Sequence, residues 1–179
     1  AMAALITGGD LTLTNTSLDY LPMVRETLEK AGALFEDLAD GFRIYTKSPI
    51  QGVDVMTEPY PGFATDLQAP FMALMGVCEG ASMITETIFE NRYMHVPELC
   101  RMGAKIDVDG NTAFVHGVET LYGAEVMATD LRASASLVLA GMYAEGQTIV
   151  DRIYHLDRGY EHIEEKLNNV GANIIRVKG

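Results

Sequence analysis

The sequence of 179 residues carries 25 acidic and 13 basic side chains, which give a formal net charge of −12 at pH 7. A chain of this length can form one domain with a core of its own, without disulfide support. The acidic balance argues against general affinity for nucleic acid, because phosphate backbones are bound by clustered lysine and arginine. Any anion must therefore be held by a few local donors.

The first part of the chain predicts a helix, a strand and a second helix, followed by a hairpin. The predicted bounds are 2–7 and 21–31 for the helices, and 11–15, 34–38 and 42–46 for the strands. The hairpin turns at Asp40 and Gly41, where glycine tolerates the positive φ that a tight turn requires. A similar order of patterns recurs twice further along the chain.

The second part repeats this order and adds an opening strand and helix. The predicted elements are a strand at 53–56, a helix that begins near Asp66, a strand at 83–88, a helix at 97–102 and hairpin strands at 105–108 and 112–115. Asp109 and Gly110 form the predicted turn of this hairpin. Cys78 and Cys100 lie within helical patterns, which indicates two buried thiols and a reducing compartment, and no cysteine spacing suggests zinc.

The third part follows the same plan to the end of the sequence. The predicted elements are strands at 125–128, 148–152 and 173–177, a helix that begins at Asp130 and a helix at 157–169. The longest apolar runs, 69–78 and 137–144, are too short to cross a bilayer. We therefore expect a cytoplasmic protein that does not enter the membrane.

A glycine followed by an alanine ends one helix in each part, at Gly32, Gly103 and Gly171. Glycine is the usual stop at a helix C-terminus, so its recurrence indicates an internal repeat. We predict a single α/β domain over 1–179 with repeats at 1–50, 51–117 and 118–179. The first repeat lacks its opening strand and the last lacks its closing strand. We therefore expect both to be truncated, as in a piece cut from a longer chain.

Two predicted helix starts carry the same Thr-Asp-Leu triplet, with Asp66 in the second repeat and Asp130 in the third. Arg132 lies in the first turn after Asp130, and Arg158 is predicted in the first turn of the last helix. Helix starts favour anions, so packing these ends together would form an anion site with carboxylates available as a base. The alternative is an ordinary helix cap beside a solvated arginine.

Four longer runs of the sequence resemble the enolpyruvyl transferase family, in particular members that act on UDP-N-acetylglucosamine. The runs are PGFATDLQA (61–69), ITETIFENRYMHVPEL (84–99), VMATDLRASASLVLAG (126–141) and VDRIYHLDRGYEHIEEKL (150–167). The resemblance covers nearly the whole chain. It implies an inverse α/β barrel of three βαβαββ units, and transfer of the enolpyruvyl group of phosphoenolpyruvate to the sugar 3′-hydroxyl with release of phosphate, which commits the sugar to peptidoglycan.

The resemblance also implies roles for individual residues. It makes Asp66 the general base for the sugar hydroxyl, and it places Arg132 and Arg158 on the phosphate or carboxylate of phosphoenolpyruvate. Asp130 remains a candidate catalytic group at the same end of the repeats. Ile88 and Phe89 match positions that contact the UDP-sugar, although Ile88 can equally be a core residue of its strand. No cofactor and no metal are expected.

The family's other domain supplies a Lys-Asn pair, a further arginine and a mobile loop with a reactive cysteine, and this chain carries none of them. Cys78 and Cys100 lack the flanking basic cluster that lowers a thiol pKa. We therefore expect an N-terminal catalytic domain as partner and an isolated chain without activity. Two alternatives stay open: a domain of the related transferase for shikimate 3-phosphate, and a stand-alone binding or structural module of the same fold.

Overall fold

The computed structural model describes residues 1–177. The helices are α1 (Met2–Ile6), α2 (Pro22–Lys30), α3 (Gln68–Met75), α4 (Val96–Arg101), α5 (Leu131–Tyr143), α6 (Tyr154–Asp157) and α7 (Ile163–Asn168), with 3-10 turns at Leu18–Tyr20 and Thr65–Leu67. The strands are β1 (Leu11–Thr14), β2 (Leu34–Leu38), β3 (Gly41–Tyr45), β4 (Val55–Met56), β5 (Ala81–Thr85), β6 (Lys105–Asp109), β7 (Thr112–His116), β8 (Glu125–Met127) and β9 (Ile149–Asp151). The α/β class predicted from the sequence is confirmed.

The strands of residues 1–177 form three sheets that follow the chain order. The first is antiparallel with order β1-β3-β2, and the second has order β4-β5-β7-β6. In the second sheet β4 and β5 are parallel, with α3 between them in the chain, whereas the other pairs are antiparallel. The third sheet pairs β8 with β9 in parallel, and α5 connects them. A helix therefore joins each parallel pair, as a crossover connection requires.

The three Gly-Ala helix ends adopt one conformation. Gly32, Gly103 and Gly171 have φ of 100°, 99° and 104°. The alanine N–H that follows each glycine donates to a carbonyl five residues earlier, from Ala33 to Leu28 at 2.9 Å, from Ala104 to Leu99 at 3.1 Å and from Ala172 to Leu167 at 3.1 Å. This is the Schellman arrangement, which satisfies carbonyls that the helix leaves free. The glycine stops predicted from the sequence are confirmed in all three places.

Helices α1, α3 and α5 pack against one another and form the centre of the core. All eight residues of α3 are buried, which suits a helix that is apolar on nearly every side. The strands lie around this centre, because α1 contacts β3, α3 contacts β5 and β7, and α5 contacts β9. On β3 and β7 the buried residues alternate with more exposed ones, so each strand turns one face toward the core.

The last predicted helix, 157–169, is wrong in its bounds. The structure divides it into α6 and α7, which are separated at His162, a residue with φ of 46°. Arg158 consequently caps the C-terminus of α6 and does not lie in a first helical turn. Left-handed backbone is costly for a residue with a Cβ and interrupts the helix at that point.

The strand predicted at 173–177 is also absent, since these residues belong to no strand or sheet in the part of the chain described. The side chain of Asn168 accepts from the Ile174 N–H at 2.8 Å and donates to the Ile174 carbonyl at 2.7 Å. This contact uses backbone groups that a neighbouring strand would need. Ile175 and Val177 are correspondingly exposed.

Two further expectations are corrected by burial. Cys78 is buried as expected but follows the end of α3, whereas Cys100 lies on α4 and is exposed. Strand β5 ends at Thr85, so Ile88 lies beyond it and is not a core residue. Among residues 1–177, no helix combines the length and apolar character needed to cross a membrane.

Candidate active site

The site begins at the start of α5, where Asp130 is the N-cap. Its backbone is extended, and its Oδ1 accepts from the N–H groups of Arg132 at 2.7 Å and Ala133 at 2.9 Å. The cap predicted for Asp130 is therefore confirmed. Because this carboxylate oxygen satisfies free N–H groups of the helix, Asp130 fixes the first turn from which the Arg132 side chain extends.

Asp66 occupies the matching position before α3 but does not act as a cap. It lies in the 3-10 turn Thr65–Leu67, and the helix starts there have no side-chain cap. Its Oδ2 accepts from Arg132 Nη2 at 2.5 Å, and its Oδ1 accepts from Arg92 Nη2 at 3.0 Å. The alternative of an ordinary cap at Asp66 is wrong. The carboxylate instead joins two arginines from different parts of the chain.

The ion pairs determine the electrostatics of this cluster. The Arg132 hydrogen bond is the main cause that lowers the pKa of Asp66. Burial opposes this effect, and Arg92 adds a smaller lowering. The pKa of Arg132 is raised in return, chiefly by Asp66. Asp66 is about half exposed, and the two guanidinium groups are each about one quarter exposed. Asp66 and Arg132 are therefore charged at neutral pH, and the cluster is open to solvent.

Arg92 is a site residue that the sequence reasoning missed. Its Nη1 donates to Thr65 Oγ1 at 2.6 Å, and its guanidinium lies over the Phe89 ring with 4.8 Å to the centroid. It follows the turn after β5, inside one of the four runs that carried the family resemblance. The available signal was an arginine close to the end of a strand in a strongly acidic chain.

Glu86 is the second residue that was missed, and it is 2% exposed. Its Oε1 accepts from Thr57 Oγ1 at 2.8 Å and from the N–H groups of Ile88 at 2.9 Å and Phe89 at 3.1 Å. Its Oε2 accepts from Thr65 Oγ1 at 2.8 Å. This buried carboxylate accepts four hydrogen bonds, which hold its side chain and the neighbouring turn in one position.

Ile88 and Phe89 form the exposed end of the turn that Glu86 holds. Their fractional exposures are 39% and 55%. Both residues thus present apolar surface to solvent beside the arginine cluster. This is compatible with contact to a ligand and excludes the core assignment for Ile88.

Arg158 lies near the start of α5 but outside the Asp66 cluster. The adjacent Gly159 packs on Leu131, the first residue of α5, because a Cβ on this glycine would lie 2.9 Å from Leu131 Cδ2. The Tyr160 side chain also approaches Arg132. Arg158 itself is exposed and has no ion pair with a residue of 1–177. The structure therefore brings together Asp66, Arg132 and Arg92, with Arg158 at the edge.

His95 lies beneath this cluster and is 1% exposed. Burial lowers its pKa to about 4; Asp130 partly opposes this shift and Arg92 adds to it. Its Nε2 has no hydrogen-bond partner among the described residues. The imidazole is consequently neutral at physiological pH.

We expect His95 to make the fold less stable in mild acid. The unfolded histidine takes up a proton near pH 6.5, whereas the folded one does so only near pH 4. The unfolded state therefore binds more protons between these values, and stability is lost as pH falls through this window, by about 3 kcal/mol in total. Urea unfolding at pH 7, 6, 5 and 4 measures this loss. His95→Gln should remove it, and equal pH slopes in both proteins would contradict the prediction.

Comparisons with known proteins agree with an enolpyruvyl transferase fold. A family model described as EPSP synthase (3-phosphoshikimate 1-carboxyvinyltransferase) matches residues 1–167. The chain therefore belongs to the EPSP synthase family. The solved enolpyruvyl transferase NikO from Streptomyces tendae superposes with a TM-score of 0.86 at 28% identity, over 96% of this chain and 42% of that one. EPSP synthase from Acinetobacter baumannii shares the fold, with a TM-score of 0.68 at 18% identity.

Curated relatives are more similar in sequence. A UDP-N-acetylglucosamine 1-carboxyvinyltransferase from Granulibacter bethesdensis is 62% identical over 100% of this chain and 43% of its own length. One of the same name from Gluconobacter oxydans is 60% identical over 99% of this chain and 42% of its own length. The chain thus spans less than half the length of the curated relatives it matches.

Proposed function

We propose that the chain is part of an enolpyruvyl transferase that moves the enolpyruvyl group of phosphoenolpyruvate to the 3′-hydroxyl of UDP-N-acetylglucosamine and releases phosphate. This would be the first committed step of peptidoglycan synthesis, in the cytoplasm. The observation that carries the proposal is the Asp66 carboxylate held by Arg132 and Arg92 at 2.5 Å and 3.0 Å. The names of relatives at 60% identity or above support the choice of UDP-sugar.

The arginines suit the anionic substrate. Phosphoenolpyruvate carries a phosphate and a carboxylate, and guanidinium groups bind both kinds of anion with paired hydrogen bonds. In the proposal, Arg132 and Arg158 bind the phosphate or carboxylate of phosphoenolpyruvate. Arg92 is included as a third anion-binding arginine because it bonds Asp66 as Arg132 does. The net charge of −12 makes such local donors necessary for binding.

Asp66 would act as the base on the sugar hydroxyl. In the ligand-free chain its pKa is lowered mainly by Arg132, which makes it a weak base. When the substrate anion engages the arginines, Asp66 loses part of this hydrogen bonding and its proton affinity rises. It can then take the hydroxyl proton as the sugar oxygen attacks C2 of phosphoenolpyruvate and C3 takes up a proton. Loss of a proton from C3 and cleavage of the C2–O bond to phosphate would then restore the double bond and release phosphate. Ile88 and Phe89 supply exposed surface for the UDP-sugar.

The architecture we propose is the inverse α/β barrel of the family. Its support is the central packing of α1, α3 and α5 with the strands around them. The proposed repeats remain 1–50, 51–117 and 118–179. The remainder of the enzyme, including the N-terminal catalytic domain, is the proposed partner of this chain.

A chimera tests the function directly. The matching segment of the Granulibacter enzyme is replaced by these 179 residues, and phosphate release from phosphoenolpyruvate is measured with either UDP-N-acetylglucosamine or shikimate 3-phosphate. We expect turnover with the UDP-sugar alone. Turnover with shikimate 3-phosphate would favour the related transferase. A folded chimera without turnover would favour a module that does not catalyse.

The isolated chain should show no measurable turnover under the same assay. Catalysis requires both reactants to be held in a reactive arrangement, and the chain covers 43% of the length of its Granulibacter relative. The measurement is phosphate release at equal concentrations of isolated chain and chimera. Release that depends on UDP-N-acetylglucosamine in the isolated chain would overturn this expectation.

A further inference from the structure

The buried carboxylate of Glu86 lies between the two parts of the proposed site. One oxygen, Oε1, fixes the turn through the N–H groups of Ile88 and Phe89. The other, Oε2, accepts from Thr65 Oγ1 at 2.8 Å, and Thr65 immediately precedes Asp66 in the chain. All three of these groups donate to Glu86, so each of their protons points toward its carboxylate.

Thr65 links Glu86 to Arg92 through hydrogen bonds. A hydroxyl has one proton, and Thr65 donates it to Glu86, so its oxygen is left as the acceptor for Arg92 Nη1 at 2.6 Å. The other terminal nitrogen of Arg92 donates to Asp66 Oδ1 at 3.0 Å. Thr65 therefore holds one side of the guanidinium while Asp66 holds the other.

The turn and the arginine also touch directly. The Arg92 guanidinium lies over the Phe89 ring at 4.8 Å, within the range of cation–π attraction. Phe89 is thus fixed through its backbone by Glu86 and through its ring by Arg92. A displacement of the turn should reach Arg92 both through the ring and through the Glu86–Thr65 hydrogen bonds.

We propose that Glu86 and Thr65 are positioning residues that couple the turn at Ile88 and Phe89 to the Arg92–Asp66 pair, so that a bound UDP-sugar orients the guanidinium beside the base. This coupling rests on the proposed function, because it takes the UDP-sugar as the occupant of the turn. Neither residue needs to touch substrate, since both act through groups that do.

The ligand-free test uses the isotope-labelled chain and three variants. Thr65→Val removes the hydroxyl at nearly constant shape, Thr65→Ser restores it, and Thr87→Val is the control. Thr87 belongs to the same turn, but its hydroxyl bonds the Thr57 carbonyl and not Glu86 or Arg92. We expect NMR exchange measurements to show that the Arg92 guanidinium rotates roughly tenfold faster in Thr65→Val than in the unmodified chain, because a charged hydrogen bond is lost. Thr65→Ser and Thr87→Val should keep the rate of the unmodified chain. An unchanged rate in Thr65→Val would overturn the positioning role.

The second readout adds UDP-N-acetylglucosamine to the same samples. The amides of Ile88 and Phe89 should shift in every protein, whereas the Arg92 Nε–H signal should shift only where position 65 keeps a hydroxyl. An equal Arg92 shift in Thr65→Val would overturn the coupling. Absence of any amide shift in the unmodified chain would instead contradict the proposed UDP-sugar contact. In that case the ligand-free rotation rates still decide whether Thr65 positions Arg92.

Discussion

Replacing Arg132 with alanine in the chimera should lower kcat/KM for phosphoenolpyruvate roughly 30- to 1,000-fold. This corresponds to a loss of about 2 to 4 kcal/mol of transition-state stabilisation. The change removes a donor for the substrate anion and leaves Asp66 without its closest partner, at 2.5 Å. Arg132→Lys should recover only part of the loss, because an ammonium keeps the charge without the planar pair of donors. The measurement is kcat/KM for phosphoenolpyruvate at saturating UDP-sugar and two salt concentrations.

Arg25→Ala is the matched control for this prediction. Arg25 forms ion pairs as well, with Glu29 at 3.0 Å and Asp37 at 2.7 Å, but it lies on α2, away from the Asp66 cluster. Its removal should leave kcat/KM unchanged, since exposed ion pairs contribute little. Arg158→Ala should behave like Arg132→Ala, although Arg158 lies at the edge of the cluster. If Arg132→Ala or Arg158→Ala leaves kcat/KM unchanged, that arginine is a solvated surface charge and does not bind the substrate.

Asp66→Asn should lower kcat in the chimera by on the order of 100-fold or more while substrate affinity stays within about tenfold. The amide keeps the shape of the side chain but cannot take a proton from the sugar hydroxyl. The amide keeps one acceptor oxygen and replaces the other with an NH2 donor, so one of the two bonds to Arg92 and Arg132 is lost, and both arginines stay available to the substrate anion. Steady-state kinetics in both substrates separate these effects, because kcat and KM are obtained independently.

Asp130→Asn is the comparison for the base assignment. Asparagine is also a good N-cap, and its side-chain oxygen can accept the N–H groups that Asp130 now binds. A small loss in Asp130→Asn beside a large loss in Asp66→Asn would separate the cap from the base. Near-normal kcat in Asp66→Asn would contradict the assignment, and a large loss in Asp130→Asn would make Asp130 a catalytic group as well.

Local patterns in the sequence determined most elements of the fold. The Gly-Ala helix stops were predictable because their signals involve hydrogen bonds between residues five or fewer positions apart. Both hairpins form where they were predicted, but their two-residue turns are Ala39-Asp40 and Gly110-Asn111, each one position away from the predicted Asp-Gly pair. The N-cap at Asp130 is of the same kind, since it bonds residues two and three positions ahead. The prediction failed where a local pattern competed with another contact. The helix expected over 157–169 breaks at His162, and Asn168 occupies the backbone of the strand expected at 173–177.

The sequence by itself determined the glycine helix stops, the Asp130 cap and two of the charged residues in the cluster, Asp66 and Arg132. Only the tertiary structure decided which charges meet, because Asp66 is 66 residues from Arg132 and 26 from Arg92 in the chain. The same holds for Glu86, whose burial depends on Thr57 and Thr65 arriving from earlier segments. Ion pairs over such separations depend on how the helices and sheets pack, and no local propensity encodes that packing.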